Sequence, residues 1–137
     1  MEYVVKDGTL EINNNVTKIH ITMPKLKGVV MKEGSGECRV KDFDTDDLEI
    51  ELFEGNKLEI NGSAKSIKAK LSNNANLKAF DLESDKVDIV VKDNAYAEVN
   101  AQNNLIAKSD NTGVIKYRGE PSSITKTVTG QGSIEKE

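Results

Sequence analysis

The residues that could do chemistry are few and widely spaced. The densest acidic cluster is Asp42-Phe-Asp-Thr-Asp-Asp47, followed by Glu49, Glu51 and Glu54. Alternating aspartates can supply the hard oxygen ligands that calcium selects. An EF-hand loop, however, needs Gly at its sixth position and a bidentate Glu at its twelfth, and counting from Asp42 these are Asp47 and Phe53. The cluster therefore reads as a solvated return loop whose charges oppose edge association. His20, the single histidine, lies in Lys18-Ile-His-Ile-Thr22 with no carboxylate or second ligand beside it, so it reads as an exposed strand residue. Cys38 is the only cysteine, which rules out an internal disulfide and a cysteine-based metal cluster.

Cleavage of a polysaccharide would need paired carboxylates at a fixed gap, or calcium with a basic residue to take the proton. The outward candidates Asp88, Glu98, Lys68, Lys78 and Lys116 are spread along the chain, and Tyr96 is the one aromatic placed to stack on a sugar ring. Gly-rich turns such as Glu33-Gly-Ser-Gly36 and Thr129-Gly-Gln-Gly132 resemble a phosphate cradle, yet none carries the P-loop Lys or opens a helix. The expectation is a non-enzyme with no catalytic residues, no metal ligands and no bound cofactor.

The 137 residues fit a single domain, 1–137, with less regular strands over 1–27 and regular repeats over 28–137. Hydrophobic content is 36%, aromatic content 4%, and tryptophan is absent. That inventory suits a narrow core of Leu, Ile, Val and Ala better than the bulkier interior of a sandwich or barrel. A net charge of −4 and a pI near 5.2 argue against nucleic acid or an anionic membrane as partner, since both select dense Lys/Arg patches. No run of ~18 apolar residues occurs, so direct membrane insertion is not expected. Met1-Glu-Tyr-Val-Val lacks the basic-then-apolar pattern of an export leader, so the residues fit either a cytoplasmic protein or a mature fragment whose export signal has been removed.

The elements that must position these side chains are short strands. Leu48-Glu-Ile-Glu-Leu52, Ile67-Lys-Ala-Lys-Leu71, Val87-Asp-Ile-Val-Val91 and Ile124-Thr-Lys-Thr-Val128 all alternate with period two. They also recur. Leu48, Ile67, Val87, Leu105 and Ile124 are separated by 19, 20, 18 and 19 residues, and Cys38, Leu58, Leu77, Ala97, Ile115 and Ile134 by 20, 19, 20, 18 and 19. From the first column to the second the offset is always ten, while the return leg varies. A meander of antiparallel hairpins would reach that constant offset only by coincidence. A coil of ~19 residues is too short for a βαβ crossover and cannot bury its own apolar face, so coils must stack as a parallel β-solenoid of five to six turns. Inward columns then become Ile50/Ala69/Ile89/Ala107, Leu52/Leu71/Val91 and Val40/Ile60/Ala79/Val99/Tyr117, with Tyr117 near an end where its hydroxyl reaches water. Gly and Asn in the turns tolerate left-handed backbone angles, and stacked Asn amides could bond between coils.

Ile21-Thr-Met-Pro-Lys-Leu26, Gly34-Ser-Gly36, Ala79-Phe-Asp-Leu82, Tyr117-Arg-Gly-Glu-Pro121 and Gly130-Gln-Gly-Ser-Ile-Glu-Lys136 together resemble the head GIN domain family of autotransporter adhesin heads. The middle turns depart from that family's S-G-S-G pattern, reading S-N-N, K-D-N and D-N-T-G. The resemblance implies a right-handed parallel β-helix, an exported, periplasmic or cell-surface location in Bacteroidetes-type bacteria, and no catalytic residues to carry over. It also implies that this chain is trimmed of its export signal. The functional expectation is an adhesion or interaction module that binds a surface polysaccharide or protein through outward faces or return loops. The alternatives are a polysaccharide-active enzyme or carbohydrate-binding module, and an architectural spacer. Strand material at Tyr3-Val-Val-Lys6 and Gly8-Thr-Leu-Glu-Ile12, with a final strand from Gly132, leads us to expect an end-to-end homodimer.

Overall fold

The computed structural model describes residues 2–13, 19–22 and 27–137, and the regular elements among them are strands. A hairpin of β1 (Glu2–Lys6) and β2 (Thr9–Asn13) pairs antiparallel and stands at one end of the strand order. Two short strands follow, β3 (Ile19–Thr22) and β4 (Gly28–Met31). Four long ones each run through most of a coil: β5 (Glu37–Leu52), β6 (Lys57–Leu71), β7 (Asn76–Lys92) and β8 (Tyr96–Asn111). The last coil comprises β9 (Val114–Arg118), β10 (Ser123–Gly130) and β11 (Ser133–Lys136). After the hairpin all pairings are parallel: β2–β4–β5–β6–β7–β8–β9–β11 in order, with β3 on β5 and β10 on β8. Coils of about 19 residues stack in about six turns, which makes the protein a β-solenoid.

Each coil has three sides. Side A carries residues 48–52 and their equivalents, side B 37–40 and theirs, and side C the return leg 43–45 and its equivalents. On side A, Leu48, Ile67, Val87 and Leu105 lie one above another; on side B, Cys38, Leu58, Leu77, Ala97 and Ile115 do so. All nine are at most 1% exposed. Ile134 continues the second column partly buried against the core. Ile124 keeps the inward register over Leu105, but it is 45% exposed. The reason is its place on β10, which pairs with β8 on one edge only. Tyr117 does lie in the last coil, but it is buried, and the Lys126 ammonium stands 4.7 Å from its ring centroid.

The return leg is strand rather than loop, which corrects the reading of Asp42–Asp47. Those residues lie inside β5, and Phe43, Asp44 and Thr45 pair with Gly62, Ser63 and Ala64 of the next coil. The inward positions of side C include Ala64, Ser84 and Ala101, all buried. They are too small or too polar to register as apolar alternation. Register shifts at Val40/Phe43, Glu59/Gly62 and Lys78/Glu83 absorb the variable length of this leg.

The turn between sides A and B explains the fixed offset. Glu54–Gly55, Asn73–Asn74 and Asp93–Asn94 are consecutive residues with φ between 52° and 74°, the requirement of a type I′ turn. Closing bonds run from the amides of Asn56, Ala75 and Ala95 to the carbonyls of Phe53, Ser72 and Lys92 at 3.3, 3.3 and 3.1 Å. In the next turn only Asn111 is left-handed, because β-branched Thr112 resists positive φ. Gly113 closes that turn so near the coil below that a Cβ would strike the Val91 carbonyl. Between coils the Asn side chains bond to unlike partners rather than to each other. Asn111 Nδ2 donates to Asp93 Oδ1 at 3.0 Å, Thr112 Oγ1 to Asn94 Oδ1 at 2.6 Å, and the Gly36 amide to Asn56 Oδ1 at 2.9 Å.

Candidate functional site

Side B presents the most structured surface. Its outward residues Arg39, Glu59, Lys78, Glu98, Lys116 and Glu135 stand in register on successive coils. The sign of the charge changes at every step. Arg39 Nε lies 3.2 Å from Glu59 Oε2, and in the neighbouring column Lys57 Nζ is 4.0 Å from Glu37 Oε1. Side A repeats the scheme with Glu49, Lys68 and Asp88, and with Glu51 and Lys70. Exposed pairs of this kind stabilise by only about 0.2–1 kcal/mol each. Their combined effect is on register, because like charges placed opposite one another are destabilising.

This arrangement decides what the expected acid–base candidates can do. Lys78, Glu98 and Lys116 fall in one column and Lys68 and Asp88 in another, on a different side of the coil. Along the side B column a cation separates successive acids, so two neighbouring carboxylates never face one gap there. The signal was present in the sequence as a sign change at a lag of one coil, but hydrophobic periodicity alone does not reveal it.

Within side B, Asn76, Lys78, Tyr96 and Glu98 form a polar centre on two adjacent coils. Tyr96 Oη donates to Glu98 Oε1 at 2.9 Å. Burial, and then the hydrogen bond and charge of Glu98, push the phenol up to about 12. Asn76 Oδ1 is buried without a hydrogen-bond partner, the one such side-chain atom among the described residues. Lys78 is exposed, and among the described residues it makes no ion pair. Both line a hollow of about 160 Å³ with Glu37, Arg39, Lys57 and Glu59 around it and Cys38 and Leu58 in its floor. That space holds a few waters or one small polar group, well below the ~300 Å³ at which small-molecule pockets begin. The Cys38 thiol is pushed up to about 11 by burial, which keeps it protonated and unreactive at neutral pH. At the next corner the Arg118 guanidinium lies 4.1 Å from the Phe80 ring centroid, and Asn100 Nδ2 donates to the Phe80 carbonyl at 3.0 Å.

The acidic cluster is tied into the stack. Asp44 Oδ1 accepts from Ser63 Oγ at 3.1 Å, Asp46 pairs with Lys65 at 2.9 Å, and the Asp42 amide donates to Asn61 Oδ1 at 2.9 Å. The hydrogen bond to Asp46 and then its charge hold Lys65 above the usual lysine range. An open hollow of about 740 Å³ separates this cluster from Asp7, Gly8 and Lys27. Among the described residues no group of three or more His, Cys, Asp and Glu side chains is arranged to hold a metal ion. His20 sits on β3 opposite Arg39; its side chain lies outside the described residues, as does the segment 23–26.

The sequence profile described as "Putative auto-transporter adhesin, head GIN domain" matches residues 1–121. This chain belongs to the head GIN domain family. A solved structure described as a putative adhesin, from Parabacteroides distasonis, superposes with a TM-score of 0.75 at 25% identity. The match covers 93% of this head GIN domain and 55% of that chain, so the present chain spans about half the length of its structural neighbour. No curated protein matches it.

Proposed function

We propose that this head GIN domain is an exported, cell-surface adhesion module without enzymatic activity, and that side B is its contact face. The observation that carries the reading is the polar centre on that face. A buried, unpartnered Asn76 oxygen and an exposed Lys78 ammonium, which makes no ion pair among the described residues, lie beside the Tyr96–Glu98 hydrogen bond on a face whose outward charges alternate in sign. The exposed Lys78 ammonium beside the Tyr96 ring offers an outside partner a hydrogen-bond donor and a stacking face. Coils rise about 4.8 Å each, so polar groups recur along the axis at that interval and suit an extended polymer better than a compact ligand. Family membership and the likeness to an adhesin support the same reading.

The test is binding of the purified chain to immobilised surface polysaccharides and to matrix or envelope proteins. The expected result is binding to one of these classes that falls about tenfold or more in Lys78→Glu and in Tyr96→Ala, with folding unchanged by circular dichroism. Binding unaffected by either substitution would place contact elsewhere. Release of new reducing ends from a bound polysaccharide would show an enzyme instead.

A further inference from the structure

Arg39, Lys57, Lys116 and Lys136 on side B each have a carboxylate partner. Lys78 has none among the described residues, although acids stand on either side of it in the column. Those acids are turned elsewhere, Glu59 to Arg39 and Glu98 to the Tyr96 hydroxyl. A second exposed cation without an ion pair stands close by. Arg118 lies at the corner of sides B and C, and its guanidinium reaches back to Phe80, two strands down the stack. Phe80 and Lys78 are alternate outward residues of β7, which puts them about 7 Å apart on one face. The acceptors nearest to Arg118 are already engaged. Asn100 donates to the Phe80 carbonyl and accepts from Gln102 at 2.6 Å, while Glu137 turns to Lys116 at 3.6 Å. Gly119 follows with φ at 100°, and a Cβ there would strike the Ala101 carbonyl, so the corner is closed tightly where the arginine leaves it.

We propose that Lys78 and Arg118 together take the carboxylate of an acidic sugar residue in a polysaccharide, with the apolar face of that sugar against the Tyr96 ring. A guanidinium held over an aromatic ring loses little freedom when its planar fork takes a carboxylate, and Lys78 adds a point charge beside it. Tyr96 stands diagonally from Lys78 on the next coil, roughly 8 Å away by strand spacing and rise. Its hydroxyl is held by Glu98, which fixes the ring that would receive the sugar. Two features favour an acidic sugar over an acidic peptide. The stacking face lies beside the cations, and Glu59 and Glu98 flank Lys78, which opposes a partner with crowded negative charges. The inference rests on side B being the contact face and names the chemistry that it reads.

Titration calorimetry of the full chain with hyaluronan, unsulfated chondroitin and polygalacturonate, each beside its carboxyl-reduced form, is the test. The expected result is binding to at least one acidic polymer, abolished by carboxyl reduction and weakened by salt. Lys78→Gln and Arg118→Gln should each weaken it about tenfold or more. Arg118→Lys keeps the charge without the fork and should not restore it. Lys68→Gln on side A should leave binding unchanged, and circular dichroism checks the fold of every variant. Equal binding to a reduced polymer or to polyglutamate, or binding that survives Arg118→Gln, would overturn the proposal. Failure of all three acidic polymers, with binding to another polysaccharide or protein that still needs Lys78, would overturn this inference alone. Binding that nowhere depends on Lys78 would overturn the contact face as well.

Discussion

Ile89 is fully buried between Ala69 and Ala107, while its neighbour Asp88 is exposed. Replacing Ile89 with Asp puts an unpaired carboxylate mid-stack and should cost about 3 kcal/mol or more. Asp88→Asn should cost less than ~0.5 kcal/mol. Urea denaturation midpoints compare the two, and equal losses would contradict the inward assignment. Gly113→Ala is a separate check on stacking, since a Cβ there meets the Val91 carbonyl. A clear loss of stability is expected, whereas Asp88→Asn leaves the stack untouched. Titration supplies a further test. Tyr96 and Cys38 both have folded-state values raised above their ordinary ones, to about 12 and about 11. A raised value means that the folded state holds its proton longer, so the stability gained is fully present below the unfolded value. It is lost as pH climbs through the folded value. Thermal midpoints should be flat through neutrality and fall from about pH 9 upward as each group is forced to ionise. Tyr96→Phe should remove part of that fall, as followed by thermal melts across pH.

Among the strands, sides A and B were legible from sequence and side C was not. The column from Leu48 to Leu105 announces itself because large aliphatic residues recur at a constant lag, and type I′ turns keep the A-to-B distance fixed. Side C is lined mostly by small residues, Ala64, Ser84 and Ala101, with Leu82 the one large aliphatic side chain among them, and bulges interrupt its register. A single Leu82 does not recur at the coil spacing, since Gly62 stands at its place in the coil below, so no column remained for pattern reading to find. The Asp42–Asp47 segment looked like a loop for that reason. Because Asp44 and Asp46 already engage Ser63 and Lys65, calcium should not be needed for folding. Melts in calcium and in chelator are expected to superimpose, and an upward shift at millimolar calcium would make this segment a binding site. The candidate face was less legible than the fold. Lys78, Tyr96 and Glu98 were each visible, but their convergence depends on register, and the buried Asn76 oxygen depends on packing. Glu59→Lys tests the ladder itself by inserting a cation between Arg39 and Lys78. A loss of about 1 kcal/mol is expected, partly recovered in high salt as the charges are screened.

For the molecule as a whole, stacking of near-identical coils makes its length adjustable in principle, and the alternating signs restrict how. Excising one coil, residues 57–75, would lay Asn76–Ala79 directly on Glu37–Val40. Arg39 would then face Lys78, and on side A Glu49 would face Asp88. Excising two coils, residues 57–95, would bring Arg39 onto Glu98 and Glu51 onto Lys108, and opposite charges would meet again. Apolar packing hardly distinguishes the two deletions, since Leu, Ile, Val and Ala follow one another in each inward column. The shorter deletion should therefore lose more stability per coil removed than the longer one, with the difference shrinking in high salt. The charge pattern acts as a parity rule: coils can be added or lost in pairs at little electrostatic cost, and singly only by setting like against like.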